Sequence, residues 1–205
     1  MDIIEIDGSY LEGGGQILRT ALALSAFLRK PCRVFNIRKG REKPGLAQQH
    51  LLGIQALAQL CGGRTEGTEL GSQEIKFYPG QIYKEYSSVK IPTAGSITLI
   101  LQALLPHSLF SPRPVKIVFE GGATDTFFSP ETDYFRYVFL KILGKMQAKA
   151  EINILKRGYY PEGGAKVEAL IYPTKLKSLN LTERGAFKKI LIISSVIFLA
   201  VLVLS

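Results

Sequence analysis

The sequence contains no tryptophan, two cysteines, two histidines and two methionines in 205 residues. Cys32 and Cys61 lie far apart and outside any Cys-x-x-Cys, which excludes a disulfide framework and a cysteine-based zinc site and fits a reducing compartment, hence a cytoplasmic location. With only His50 and His107, a histidine-rich metal cluster is also excluded. Acidic residues are in the minority, 17 against 26 Lys plus Arg, so the net charge is +9 and polyanionic partners are favoured. Charged residues at 21% and hydrophobic residues at 46% are ordinary for a globular chain and exclude a disordered, collagen-like or polytopic membrane class. The N-terminus reads as a strand rather than a signal peptide. One long apolar run, Ile190 to Leu204, follows Lys188 and Lys189. It falls short of the roughly 20 residues a spanning helix needs, so no stable membrane association is expected, although a tail anchor remains open.

What is plentiful is glycine, 20 residues, and it punctuates a repeat. In the first copy a strand at Ile3–Ile6 leads through Gly13-Gly14-Gly15 into a helix over Ile17–Phe27. Strand Cys32–Ile37, helix Leu46–Cys61 and strands Arg64–Glu69 and Glu74–Tyr78 follow. In the second copy, strand Ser87–Ile91 leads through the turn Thr93–Ser96 into helix Ile97–Leu105. Strand Val115–Glu120, helix Thr132–Met146 and strands Ala150–Lys156 and Ala165–Ile171 complete it. Leu51, Ile54, Leu57, Ala58 and Cys61 recur at helical spacing, as do Tyr134, Val138 and Leu143. Val167, Ala169 and Ile171 alternate as a half-buried strand does. The expected architecture is α+β: one β-α-β-α-β-β unit over residues 1–80, a second over 81–174, and 175–205 as the start of a third with the apolar tail.

Several segments carry groups suited to phosphate chemistry. In Asp7–Arg19 the glycines precede a helix, where unsatisfied N–H groups and the helix dipole favour an anion. Glu12 there suits a divalent cation and Arg19 a phosphate. A tight turn that binds nothing fits the same spacing. Asn36–His50 packs Arg38, Lys39, Arg41 and Lys43 ahead of Pro44-Gly45, a dense basic loop of the kind that attracts phosphate, or else a solvated turn. Gln102, two turns into the helix after Thr93–Ser96, suits an adenine edge or a backbone partner. Gly121–Asp125 and Arg157–Gly164 are glycine-rich strand ends, the latter with Tyr159 and Tyr160 available for base stacking. His50 suits a phosphate ligand or an acid, or else a polar cap or a partly buried helix member. No Walker loop is present, and neither histidine completes a catalytic triad.

Taken in order, DGSxxEGGGQILRT, NIRxGRxKPGLxxQH, ELGS, TAGSITLxLQxLLP, GGxTD and RGYYPxGG resemble the RNA 3′-terminal phosphate cyclase family over about residues 3–186. The resemblance implies repeated units like the C-terminal domain of translation initiation factor 3. It also implies a ligase reaction in RNA processing, an ATP-dependent conversion of an RNA 3′-phosphate to a 2′,3′-cyclic phosphodiester through adenylylated intermediates. It assigns ATP contacts to Gln102, Glu12 and Arg19, the RNA phosphate end to Arg38, Arg41 and Gln49, and a magnesium or manganese ion to Glu12. The partner implied is an RNA 3′-phosphate end. The family's nucleophilic histidine has no counterpart at His50 or His107, so the chain looks like a C-terminally truncated member in which no catalytic residue is assigned. The alternative is a non-catalytic cyclase-like RNA-binding protein of the ribosome-biogenesis type.

Overall fold

The computed structural model describes residues 2–183, 185 and 186. Two four-stranded sheets share one plan. In the first, β1 (Ile4–Asp7), α1 (Gly15–Leu28), β2 (Cys32–Phe35), α2 (Gln48–Cys61), β3 (Arg64–Glu66) and β4 (Ile75–Tyr78) give the strand order β1-β2-β4-β3. In the second, β5 (Tyr86–Ser96), α3 (Ile97–Leu109), β6 (Val115–Ala123), α4 (Thr132–Tyr134), a π-helical turn at Phe135–Phe139, α5 (Leu140–Lys145), β7 (Ala150–Lys156) and β8 (Lys166–Ile171) give β5-β6-β8-β7. In each, the first pair of strands is parallel and the other two pairings are antiparallel. The protein is therefore α+β, and the order β-α-β-α-β-β occurs twice among the described residues.

Alternation on the inner strands puts Cys32, Val34, Ile75 and Phe77 on one buried face and Val167, Ala169 and Ile171 on another. Leu18 and Leu22 of α1, and Ile54, Leu57 and Leu60 of α2, belong to the same buried cluster, and α3 packs on β6 and β8. Helix α3 contacts both α1 and α2 and is buried nearly all round. Each fully buried Leu or Phe contributes about 1.5–3 kcal/mol by area removed from water. A continuous core so joins the two units.

Where sequence expectation and structure differ, local causes are visible. Helix α2 begins at Gln48 rather than Leu46 because the Leu46 N–H donates to Ser72 O (2.9 Å) and its carbonyl accepts from Gly71 N (2.8 Å). Strand β5 does not stop at Ile91 but continues through the expected turn to Ser96, across a register shift against β6. Helix α3 continues past Pro106 to Leu109, at the cost of the bond that Pro106 would have given the Gln102 carbonyl. In the Thr132–Lys145 segment the π turn shifts the phase. Phe135 is buried, Phe139, Leu140 and Leu143 pack on the core, and Tyr134 and Val138 are left 52% and 40% exposed.

Residues 172–183, which include the described part (175–183) of the segment expected to open a third unit, form no helix or strand. They run back across α3 and α5, with Thr174 N donating to Leu109 O and Lys177 N to Met146 O. The run Ile190–Leu204 lies outside the described residues. Among the described residues, no helix is long and apolar enough to cross a membrane.

Candidate functional site

The N-terminus of α1 is open by construction. Its N-cap is Gly14, which supplies no side-chain acceptor, so the first-turn N–H groups are not capped. Gly13 sits at φ +56°, a conformation glycine adopts freely, and turns the chain into the helix. Gly14 and Gly15 leave room for neighbours. A Cβ on Gly15 would stand 2.4 Å from His50 Nε2 and 3.2 Å from Arg19 Nη1, and one on Gly14 would stand 3.3 Å from Arg41 Nη2. No side chain other than hydrogen fits at Gly15 while His50 keeps its place.

His50 comes from α2, whose N-terminus faces the same space. The Ala47 N–H donates to His50 Nδ1 (3.0 Å), which satisfies one orphan donor of α2 and leaves the ring proton on Nε2, toward the glycines. Burial, then the charges of Arg38 and Arg19, lower the His50 pKa to about 4, so the ring is neutral near pH 7 and acts as a hydrogen-bond donor. Arg38 is fixed by donating to Gly45 O (2.8 Å), and burial plus the nearby Arg41 push its pKa down. Arg41 reaches Glu12 at 3.4 Å, with the Glu12 side chain 88% exposed. Arg19 donates to Gln16 Oε1 (2.9 Å), burial lowers its pKa, and its buried Nε has no partner. Three guanidiniums thus gather about an uncapped helix start with one loosely held carboxylate to offset them.

Gln49 lies beside His50 and Arg19 in a narrow crevice, and a Cβ on Gly95 would touch its Cβ at 3.8 Å. Gln102 lies on the far side of Arg19, where both line a cavity of about 360 Å³ with Gln16, Thr20, Pro106 and Phe139. Its buried Oε1 is also without a partner. Glu12, Arg19, Arg38, Arg41 and Gln49 therefore surround His50 and Gly15, and Arg19 joins that cleft to the cavity of Gln102.

Of the readings open for His50 from the sequence, the structure shows the helix cap, at the edge of the cleft. The signal for it is the spacing from Ala47, an extended N-cap without a side-chain acceptor, to a polar residue three positions on that takes the cap's N–H. His107 lies elsewhere: it is buried, stacks on Tyr83 with ring centroids 4.8 Å apart, and follows Ser96 by eleven residues, about 16 Å along α3. Among the described residues no three His, Cys, Asp or Glu side chains gather in a way that would hold a metal ion.

A family model described as RNA 3′-terminal phosphate cyclase matches residues 10–203. The chain is 46% identical to the RNA 3′-terminal phosphate cyclase of Ignicoccus hospitalis over 189 residues, 92% of this chain and 53% of that protein. To the protein of the same name from Nitrosospira multiformis it is 52% identical over 169 residues, 82% of this chain and 48% of the relative. Against that of Hyperthermus butylicus the figures are 49% over 185 residues, 89% and 51%. The chain spans about half the length of these curated relatives. With the uncapped glycine turn, the basic loop and Gln102 each in the order the motifs have, the chain belongs to the RNA 3′-terminal phosphate cyclase family.

Proposed function

We propose that the cleft between α1 and α2 binds ATP and the 3′-phosphate end of an RNA, in the service of an ATP-dependent cyclase reaction that forms a 2′,3′-cyclic phosphodiester. The observation that carries this reading is the convergence of Arg19, Arg38, Arg41 and the His50 Nε2–H on an uncapped helix N-terminus. Guanidiniums placed so close repel one another until a multiply charged anion joins them. Phosphate also matches their planar donor forks.

The neighbouring cavity suits the base of the nucleotide. Gln102 Oε1 and Arg19 Nε are buried and unpartnered there, and a carboxamide oxygen accepts from an exocyclic amine. When bound, ATP would supply an adenylyl group with pyrophosphate as leaving group, making the RNA 3′-phosphate a phosphoanhydride from which attack by the vicinal 2′-hydroxyl would expel AMP and close the cyclic diester. Arg38 and Arg41 hold that phosphate and stabilise charge developing on its oxygens, and His50 donates a hydrogen bond without carrying charge. Glu12 fits a magnesium ion as its single carboxylate, a pattern in which phosphate oxygens and water provide the remaining ligands. It would have to exchange Arg41 for the ion.

Neither described histidine suits the nucleophile of an adenylyl transfer. His50 spends the lone pair of Nδ1 on Ala47 N and carries a proton on Nε2, and His107 is buried away from the cleft. Incubation with ATP labelled on the α-phosphate and magnesium should give no labelled band on a denaturing gel. A band lost on His50→Gln would overturn that part of the reading. Binding itself is tested with a short single-stranded RNA carrying either a 3′-phosphate or a 3′-hydroxyl. The 3′-phosphate strand should bind at least tenfold tighter, and Arg41→Ala should remove most of the difference. Equal affinity for both ends in the unaltered chain would refute a phosphate-end site. The same reading takes the repeated unit to be of the type found in translation initiation factor 3.

A further inference from the structure

The second unit carries a feature that the phosphate cleft does not use. In the segment between β6 and α4, Phe127 is 70% and Phe128 103% exposed, and Tyr160, from the segment between β7 and β8, is 60% exposed. The three rings form one cluster: Phe127 lies 5.3 Å from Tyr160 edge-on and 6.4 Å from Phe128. Three large rings held together in water are unfavourable unless something covers them.

The backbone beneath them is firmly tied. Thr132 N and Oγ1 both donate to Thr124 O (2.9 Å each), Thr124 N donates to Gly158 O (2.8 Å), and Thr98 Oγ1 donates to Pro130 O (2.6 Å). Arg157 bridges Asp133 (2.6 Å) and approaches Asp125 (3.6 Å). Phe128 is displayed from the left-handed region at φ +58°, unusual for a bulky residue. The rings are therefore held out by a braced frame.

That frame adjoins the phosphate cleft. A Cβ on Gly163 would stand 2.9 Å from Thr93 O and 3.2 Å from Ala94 Cα, while one on Gly95 would stand 3.8 Å from Gln49 Cβ. The strand end Thr93–Gly95 so touches the loop of Tyr160 on one side and the cleft on the other. The bond from Thr98 to Pro130 links the other aromatic loop to α3, the helix of Gln102. Arg157, the guanidinium of this frame, already lies against Asp133 and near Asp125, so the exposed feature is flat apolar rings.

We propose that Phe127, Phe128 and Tyr160 form a stacking platform for unpaired bases of the RNA strand whose 3′-phosphate enters the cleft. Stacking is tolerant of sequence because every base has a π-face. The platform orients the strand, and the arginines hold its end. This inference rests on the cleft's taking an RNA 3′-phosphate.

The test measures fluorescence anisotropy of a labelled eight-nucleotide RNA with a 3′-phosphate, using the whole chain. Phe127→Leu/Phe128→Leu should weaken binding about tenfold or more, Tyr160→Leu less, and Phe127→Tyr should restore the affinity lost by Phe127→Leu. The affinity for ATP should not change. Replacing the last bases by abasic residues should weaken binding to the unaltered chain but not to the double variant. Unchanged RNA affinity in the double variant overturns the platform, whether or not the variant changes self-association. Loss of ATP affinity to the same extent would assign the rings to the adenine instead and also overturns it. If the unaltered chain binds no RNA, the phosphate-end reading fails first and the platform with it.

Discussion

The two sheets have the same strand order and the same pattern of parallel and antiparallel pairing, yet they treat their first helix differently. Helix α1 starts at Gly14 with no side-chain cap, whereas α3 starts at Ser96, whose Oγ accepts from Leu99 N (3.3 Å). The crossover from strand to second helix differs too. In the first unit it is the loop of Arg38, which donates to Gly45 O, and Arg41, whose carboxylate partner among the described residues is the exposed Glu12. In the second it is Gly121–Pro130, where Arg157 sits between Asp125 and Asp133. The first unit gathers positive charge at an uncapped helix start, whereas its twin sets Arg157 between two carboxylates and leaves Gln102 Oε1 and Arg157 Nη1 among its buried unpartnered atoms. The fold is shared, so binding capacity lies in what each copy leaves unsatisfied.

The sharpest way to break this comparison is to fill the space that makes the first unit open. Gly15→Ala puts a methyl 2.4 Å from His50 Nε2, and the ring must leave. We expect a loss of about 1–3 kcal/mol in urea unfolding and at least tenfold in ATP affinity by titration calorimetry. The counterpart Gly95→Ala meets Ile91 Cγ2 at 3.2 Å and Thr93 Oγ1 and Gln49 Cβ at ordinary contact distances of 3.5 and 3.8 Å, and should cost less stability than Gly15→Ala.

Each unit also holds one buried histidine, which allows the comparison to be made by pH. Burial foremost lowers the pKa of both His50 and His107 from 6.5 to about 4; the Arg38 and Arg19 charges add to this for His50, and Arg29 for His107. Between those values the unfolded chain binds more protons than the folded one. Stability is therefore full above about pH 6.5 and falls as the pH drops toward 4, by roughly 2–3 kcal/mol per histidine. His50→Gln and His107→Gln should each remove about half of that slope in unfolding curves at several pH values. Arg38→Ala should raise the His50 titration followed by NMR and leave His107 unmoved.

Smaller effects separate the two charge arrangements. Asp133→Asn removes a largely buried partner of Arg157 and should cost about 1.5–3 kcal/mol in urea unfolding. Glu12→Gln, at an exposed pair, should change stability by less than about 0.5 kcal/mol in the same measurement.

Much of this contrast could be read in the residues. Helix α2's buried Ile54, Leu57 and Cys61 and strand β8's Val167, Ala169 and Ile171 follow their spacing, because period and burial agree there. The basic loop and the glycine turn were visible as ordered motifs. The phase of the Thr132–Lys145 segment was not, because a π turn inserts into a helical period. The cap was among the readings open for His50, but its approach to Gly15 across the cleft was not, a proximity that no local spacing encodes. The pairing of Arg157 with Asp125 and Asp133 was equally hidden, since it joins residues 24 or more positions apart.

We propose that the arginine cleft of α1 and α2 with the adjoining cavity of Gln102, rather than the overall positive charge, holds the nucleotide. Titration calorimetry of ATP with magnesium against the unaltered chain, Arg19→Ala and Lys116→Ala decides it, since Lys116 is a cation of the second sheet paired with Glu168. Arg19→Ala should weaken binding at least tenfold and Lys116→Ala should leave it unchanged. Equal weakening by the two variants, or none by Arg19→Ala, would contradict the account.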